Sequence, residues 1–155
     1  MRITLCIAAV FLFFVSCKKD KYTTAPQIKF NSFTPNVAFS NSLDPTSGPV
    51  LSIQLTDLEG DFGFNTNKDT SYVYVKNITI VPNKTDSFKF PAALSAINRK
   101  SLNVEVSVLI NSVLQTSNQP NRPYTDTLFF EVYVQDFAKN KSNVITAGPV
   151  FYISP

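Results

Sequence analysis

Histidine and tryptophan are absent from this 155-residue chain, and there are only 2 cysteines. Without histidine, the chain has no Ser-His-Asp or Cys-His nucleophile system and no imidazole-bound zinc. Cys6 lies inside an apolar N-terminal run, and Cys17 follows directly after that run. The sequence beyond Cys17 therefore forms neither a disulfide nor a thiolate metal site, and its stability must come from packing.

The chain also has little net charge and no long apolar run. The formal net charge is only +3, which is too small for the basic surface of a nucleic-acid-binding protein, so we expect no nucleic-acid partner. The longest apolar run, Ile3–Val15, has 13 residues. At about 1.5 Å per residue it spans roughly 20 Å, which is shorter than the ~30 Å core of a bilayer.

The N-terminal run has the form of a secretory signal. Arg2 precedes the run, and the small residue Ser16 ends it just before Cys17. We expect residues 1–16 to be a signal peptide, residues 17–26 to be a polar tether that begins with a lipidated Cys17, and residues 27–155 to form a single domain. The alternative is an ordinary signal peptide followed by a chance cysteine.

Alternation of apolar and polar residues dominates the rest of the chain. It is clean in residues 51–55, 104–110 and 128–135, and weaker in 27–33, 72–81 and 144–153. No window has convincing helical spacing. The pattern predicts an all-β fold, an immunoglobulin-like antiparallel β-sandwich of about seven strands, with a small β-barrel as the alternative.

An acidic loop follows the strand that ends near Thr56. Asp57, Glu59 and Asp61 are three of the chain's 11 carboxylates, and two of its 4 glycines, Gly60 and Gly63, lie in the same stretch. Three like charges so close together repel one another unless a cation neutralises them. Ca²⁺ suits such a loop because it accepts six to eight oxygen ligands in flexible geometry.

A second polar loop, between the last two predicted strands, contains Asp136 and Asn140. Loops gather at the ends of a sandwich, so the two loops are able to meet. The sequence therefore predicts a calcium site formed by Asp57, Glu59, Asp61, Asp136 and Asn140. The alternative is that Asp, Asn and Gly serve only as turn formers.

Aromatic residues flank the acidic loop. Phe62, Phe64, Tyr72 and Tyr74 lie on both sides of it in the sequence. Exposed rings at these positions would stack on sugars or anchor a protein partner, and we take these four residues as a candidate ligand-binding set. The alternative is that they pack into the core and the strands.

Three motifs carry a resemblance to a known family. Phe14-Val15-Ser16-Cys17 resembles a bacterial lipobox, with Phe14 where Leu is usual. Asp57–Gly63 is similar to the Asp-Gly-Asp-Gly-Asp-x-Gly loop of Bacteroidetes lipoproteins, and residues 136–143 look like their closing motif, Asp-x-Ala-Gly-Asn-x-Ser-Asn. The chain departs from these loops by having Leu58 for Gly, Glu59 for Asp and Lys139 for Gly.

The resemblance implies cleavage before Cys17, a diacylglycerol on its thiol, and a fatty acyl group such as palmitate on its new amine. It also implies an outer-membrane lipoprotein with an immunoglobulin-like or cadherin-like sandwich. Together with the composition, it leads us to expect a monomeric, non-enzymatic binding or interaction module of the cell envelope. Its expected partners are the membrane, through the lipid anchor, and an envelope protein or a glycan.

Three other functions remain open from the sequence. The first is a glycan-binding accessory lipoprotein of a polysaccharide-uptake system. The second is a structural spacer without a ligand. The third is a small hydrolase that uses Glu59 and Asp61, or Glu131 and Asp136, as its pair of carboxylates.

Overall fold

The computed structural model describes residues 22–63, 70–90 and 100–155, except positions 43 and 45. This part of the chain contains eight strands and one turn of 3₁₀ helix at Asn111–Val113. The strands are β1 (Gln27–Thr34), β2 (Val37–Phe39), β3 (Val50–Asp57), β4 (Tyr72–Asn77), β5 (Thr85–Lys89), β6 (Leu102–Leu109), β7 (Tyr124–Gln135) and β8 (Ile145–Ser154).

Two sheets pack face to face. One sheet has three strands in the order β1-β3-β6, and the other has five in the order β2-β8-β7-β4-β5. The two sheets place β1, β3 and β6 where an immunoglobulin domain has strands A, B and E, and β4, β7 and β8 where it has C, F and G. The predicted all-β sandwich is confirmed.

The strand pairing differs from the expectation in two details. The described residues form eight strands instead of about seven, because β2 and β5 are too short to give a clear alternating pattern. The pairing is also not wholly antiparallel, since β2 runs parallel to β8, with Val37 opposite Phe151. The chain therefore crosses from one sheet to the other between β1 and β2.

Alternation places the core between the sheets. In β3, Leu51, Ile53 and Leu55 are buried, and in β7 the same holds for alternate residues from Leu128 to Val134. Buried residues of both sheets belong to one hydrophobic cluster. Burying one such side chain contributes about 1.5–3 kcal/mol, so this cluster is the main source of stability in a domain without disulfides.

Gly148 fills a position where a larger residue does not fit. Its φ is +148°, and an added Cβ would lie 2.6 Å from Cδ1 of Phe129 and 3.1 Å from the carbonyl oxygen of Leu128. The close approach occurs beside a β-bulge in β7, where the register with β8 shifts between Leu128 and Phe130.

We therefore expect Gly148→Ala to lower the free energy of unfolding by about 1–3 kcal/mol, because both the backbone and the Phe129 ring must move. Urea denaturation checks this result. Gly60→Ala is not a suitable control because it changes the acidic loop, so the control is Thr146→Ala on the solvent face of β8. Equal stability of Gly148→Ala and the wild type would contradict the tight packing.

The register also fixes which loops share an end of the sandwich. Because β1 and β3 are antiparallel, with Gln27 opposite Thr56, the start of β1 lies at the end of β3. The end of β7 and the start of β8 lie at the same end of the molecule. We call this the acidic end, since it contains Asp57, Glu59, Asp61 and Asp136, and we call the other the opposite end.

Candidate functional site

The two loops predicted to form the site meet at the acidic end. Asp57 is the last residue of β3 in the three-stranded sheet, and Asp136 directly follows β7 in the five-stranded sheet. The backbone N–H of Phe137 donates to the carbonyl oxygen of Asp61 at 3.1 Å. The N–H of Ala138 donates to Oδ2 of Asp61 at 3.3 Å. The expected meeting of the loops is therefore confirmed.

Asp57 is fully buried and only partly satisfied. Its Oδ2 accepts a hydrogen bond from the N–H of Gly60 at 2.6 Å, which closes a tight turn. Gly60 has a φ of 67°, a left-handed conformation that suits glycine. The other oxygen of Asp57, Oδ1, is buried and has no hydrogen-bond partner in the described part of the chain. A buried oxygen without a partner costs free energy, so this atom needs an explanation.

Asp61, on the other side of the loop, is also a carboxylate with only one of its two oxygens hydrogen-bonded within the described ranges. Its Oδ2 accepts from the N–H of Ala138, but its Oδ1 is buried and no described residue donates a hydrogen bond to it. Two carboxylates from one loop therefore each keep a buried oxygen without a donor. No lysine or arginine forms an ion pair with either of them among the described residues.

Asp136 is fully buried but well satisfied. Its Oδ1 accepts from the N–H of Asn140 at 2.7 Å, and its Oδ2 accepts from Nδ2 of Asn140 at 2.8 Å. Asn140 therefore points its side-chain nitrogen at Asp136 and holds that carboxylate in place. A carboxylate oxygen has lone pairs for more than one partner, so these bonds leave Asp136 able to face a cation.

Glu59 is not brought into this group. It is exposed, and it lines an open cleft of about 510 Å³ together with Leu58, Lys100 and Ser101. The carboxylates that the fold does assemble are Asp57, Asp61 and Asp136. The exposure of Glu59 beside the turn at Gly60 favours Asp57, Asp61 and Asp136 over it as ligands, and Glu59 as a ligand stays a prediction.

Burial and mutual repulsion act on the assembled carboxylates. Burial, together with the neighbouring charges of Asp136 and Asp57, raises the pKa of Asp61 to about 6. Burial also raises the pKa of Asp57, with repulsion from Asp136 and Glu59 as further causes, whereas the Gly60 N–H lowers it. The folded chain therefore holds negative charge here at a cost.

This raised pKa gives a pH dependence with a definite sign. The folded state holds a proton on Asp61 up to about pH 6, whereas the unfolded chain releases it near 3.8. The folded state thus binds more protons between these values, so this group's contribution to stability falls as the pH rises from about 4 to about 6.

With Ca²⁺ removed by a chelator, the wild type should lose stability as the pH rises from about 4 to 7. Asp61→Asn should lose less over the same range, as measured by thermal melts. Glu59→Gln, an exposed change in the same loop, should follow the wild type. A profile for Asp61→Asn that parallels the wild type would contradict the unfavourable burial of this carboxylate.

Among the described residues there is no group of three or more Asp, Glu, His or Cys side chains that could hold a metal ion. The three carboxylates interact electrostatically without converging on one point. A cation here would be held by one or two of them, with backbone carbonyl oxygens and water as the remaining ligands. Ca²⁺ accepts such mixed oxygen sets, and its ligand number is flexible.

The aromatic candidates separate into different environments. Phe62 is 1% exposed and packs on Phe90, with ring centroids 5.0 Å apart. Its prediction as a ligand-binding residue is therefore wrong, because the chain after Gly60 turns inward and buries the ring in the core. Phe64 lies outside the described residues.

Tyr72 and Tyr74 lie on the outer face of the five-stranded sheet and form part of a ladder. The rings of Tyr74 and Tyr133 stack with centroids 4.6 Å apart and an angle of 12° between planes. Lys141 Nζ lies 3.9 Å from the centroid of Tyr133. Tyr72 packs against Tyr74 at 5.9 Å. Sequence reasoning missed Tyr133 and Lys141, although the outward positions of residues 128–135 include Tyr133.

The ladder is poorly suited to stacking on a sugar. A sugar-binding platform needs ring faces open to solvent, whereas the stacked faces of Tyr74 and Tyr133 cover each other, and Lys141 lies against Tyr133. Such contacts contribute about 0.5–1.5 kcal/mol to packing. These packing contacts between β4 and β7 are therefore enough to explain the ladder.

The candidate carboxylate pairs for hydrolysis are also kept apart. Glu131 lies on the outer face of the sheet, 3.9 Å from Lys76, whereas Asp136 is buried at the acidic end. Glu59 faces the cleft with Lys100 and not with Asp61. In the part of the chain that the structure describes, neither pair lines a cleft together.

Cys17 and residues 1–21 lie outside the described residues, so the lipidation and signal predictions stay predictions. In the part of the chain that is described, no helix has the length and apolar character needed to cross a membrane. No protein-family model, no curated protein and no solved structure matches the chain.

Proposed function

We propose that this chain is a lipid-anchored, non-enzymatic binding or interaction module of the cell envelope, held at the outer membrane by Cys17, with a Ca²⁺-binding site at its acidic end. The observation that carries the calcium proposal is a pair of buried oxygens, Oδ1 of Asp57 and Oδ1 of Asp61, that have no hydrogen-bond partner among the described residues. The lipid anchor is supported by the apolar run, Ser16 and Cys17 of the sequence.

Calcium fits the chemistry of this end better than zinc. The available ligands are all oxygens, since the chain has no histidine and the described residues include no cysteine. Oxygen ligands suit Ca²⁺, whereas zinc prefers nitrogen and sulfur. A bound Ca²⁺ would neutralise the repulsion among Asp57, Asp61 and Asp136 and would link the loops of the two sheets.

The same geometry supports a binding role over the alternatives. A hydrolase of the two-carboxylate type needs a pair of carboxyls facing across a cleft, and the cleft beside Glu59 has Lys100 instead. A glycan binder needs open ring faces, which the tyrosine ladder does not offer. A plain spacer has no use for buried carboxylates whose repulsion lowers its stability.

Isothermal titration of the purified protein with CaCl₂ at about pH 7 tests this proposal. We expect one Ca²⁺ per chain, with the heat of binding lost in Asp57→Asn, which keeps the size of the side chain and removes the charge. Glu59→Gln is the matched control, because it removes a charge from the same loop but leaves the assembled carboxylates in place. No heat with the wild type, or equal loss in Glu59→Gln, would overturn the proposed site.

A further inference from the structure

The N-terminal segment enters the domain at the acidic end and is tied to it. The carbonyl oxygen of Thr23 accepts a hydrogen bond from the N–H of Leu58 at 3.1 Å, one residue after Asp57. Asn143 holds both polar groups of Ile28, since its Oδ1 accepts from the N–H at 2.8 Å and its Nδ2 donates to the carbonyl at 3.0 Å.

These bonds limit the distance between the acidic end and Cys17. Thr23 is six residues beyond Cys17 in the sequence. Six residues span at most about 20 Å when fully extended. If Cys17 carries lipid, the acidic end therefore lies within about 20 Å of the bilayer surface. The 12 residues of β7 separate the opposite end from the acidic end by about 40 Å.

The surface at the acidic end has groups that suit a lipid bilayer. Leu58 and Val144 are 42% and 50% exposed and offer apolar side chains to a contacting surface. Lys100, Lys139 and Lys141 are exposed at the same end. Cationic side chains beside apolar ones are favourable at an anionic membrane surface, where each contributes about 1 kcal/mol.

The carboxylates at this end oppose such contact unless a cation neutralises them. Asp57, Asp61 and Asp136 carry negative charge beside these lysines, and negative charge is repelled by anionic headgroups. With the exposed Glu59 included, four carboxylates accompany three lysines among the described residues of this end, so the two charges of a bound Ca²⁺ turn a small net negative charge into a small net positive one. Calcium therefore stabilises the docked state relative to the undocked state, and such a difference is what a switch requires.

We propose that Ca²⁺ binding at Asp57 and Asp61 docks the acidic end onto the anionic surface of the bilayer that anchors Cys17, with Leu58 at the contact. This inference rests on the proposed function, since it requires both the anchor and the calcium site. Without Ca²⁺, the domain stands away from the surface on its tether.

The absence of tryptophan from the chain allows a direct test. Leu58→Trp places one fluorescent reporter at the proposed contact, and Val81→Trp places the matched control at the opposite end, where Val81 is 85% exposed. The lipidated proteins are reconstituted in phosphatidylcholine vesicles containing phosphatidylglycerol, with brominated lipid as the quencher, in Ca²⁺ and in EGTA. Titration calorimetry on each variant checks that calcium binding is retained.

We expect Leu58→Trp emission to shift to shorter wavelength and to be quenched by brominated lipid in Ca²⁺ but not in EGTA, with no quenching of Val81→Trp in either. Vesicles without phosphatidylglycerol should abolish the effect. If Ca²⁺ binds by calorimetry but Leu58→Trp is not quenched, or is quenched equally in EGTA, the docking inference is wrong while the calcium site stands. If calorimetry shows no binding, the proposed function itself fails.

Discussion

Millimolar Ca²⁺ should raise the thermal unfolding midpoint of this protein by about 5–10 °C relative to EGTA at about pH 7. A ligand at 100 times its dissociation constant adds about 2.7 kcal/mol to stability, and each kcal/mol is worth about 2–4 °C in a domain of this size. We expect this stabilisation because Asp57 and Asp61 each have a buried oxygen without a hydrogen-bond partner among the described residues, where Ca²⁺ is proposed to bind.

Variants separate this effect from a general loss of stability. In EGTA, Asp57→Asn should be as stable as the wild type or more stable, because it removes a buried charge and keeps an acceptor for the N–H of Gly60. In Ca²⁺, the same variant should show no rise in midpoint. Glu59→Gln should keep the full rise. A rise that survives in Asp57→Asn would place the cation elsewhere.

Phe62→Ala should lower the free energy of unfolding by about 3–5 kcal/mol, since it empties a buried site of aromatic size. Phe62 is 1% exposed and packs on Phe90. Its loss removes the contact that holds the loop after Gly60 against the core. Urea denaturation in EGTA checks this value.

Tyr72→Ala serves as the comparison for this prediction. Tyr72 is half-buried on the outer face of the sheet, so its truncation should cost about 1 kcal/mol or less. The prediction fails if Phe62→Ala unfolds at the same urea concentration as the wild type. That result would return Phe62 to the set of exposed, ligand-binding aromatics.

The sandwich was predictable from the sequence because alternation was strong where a strand is half-buried. Residues 51–55, 104–110 and 128–135 all lie in strands of the structure, apart from Ile110, which follows β6. The three-residue β2 has too few positions for a period to appear, and it pairs with β8, more than 100 residues later. Such pairing depends on the whole fold.

In the segment 72–81, the alternation of apolar residues changes phase, and two different structures can produce such a change. Its apolar phase slips at Lys76-Asn77, which predicts a bulge or a tight bend. The structure has the bend, since β4 ends at Asn77 and the buried side chain of Asn77 accepts from the N–H groups of Thr79 and Ile80 to form a turn. An asparagine that closes a turn and a bulge give the same phase slip in sequence.

The site was predictable only in part. The meeting of the two loops follows from sandwich topology, and Asp57, Asp61 and Asp136 were found as turn carboxylates after strands. The direction of each side chain was not predictable, because one glycine turn decides whether Glu59 faces solvent or the cluster. The role of Asn140 also required geometry, since its sequence position suits a ligand as well as a donor to Asp136.

The most direct test of the calcium site is a crystal structure of the protein grown or soaked in CaCl₂. We predict an anomalous difference peak at the acidic end, with Oδ1 of Asp57 and Oδ1 of Asp61 at about 2.3–2.6 Å from the ion and other oxygens completing its shell. A structure at about pH 7 in millimolar CaCl₂ that has no ion there, or has only a hydrogen bond between these two side chains, would contradict the account.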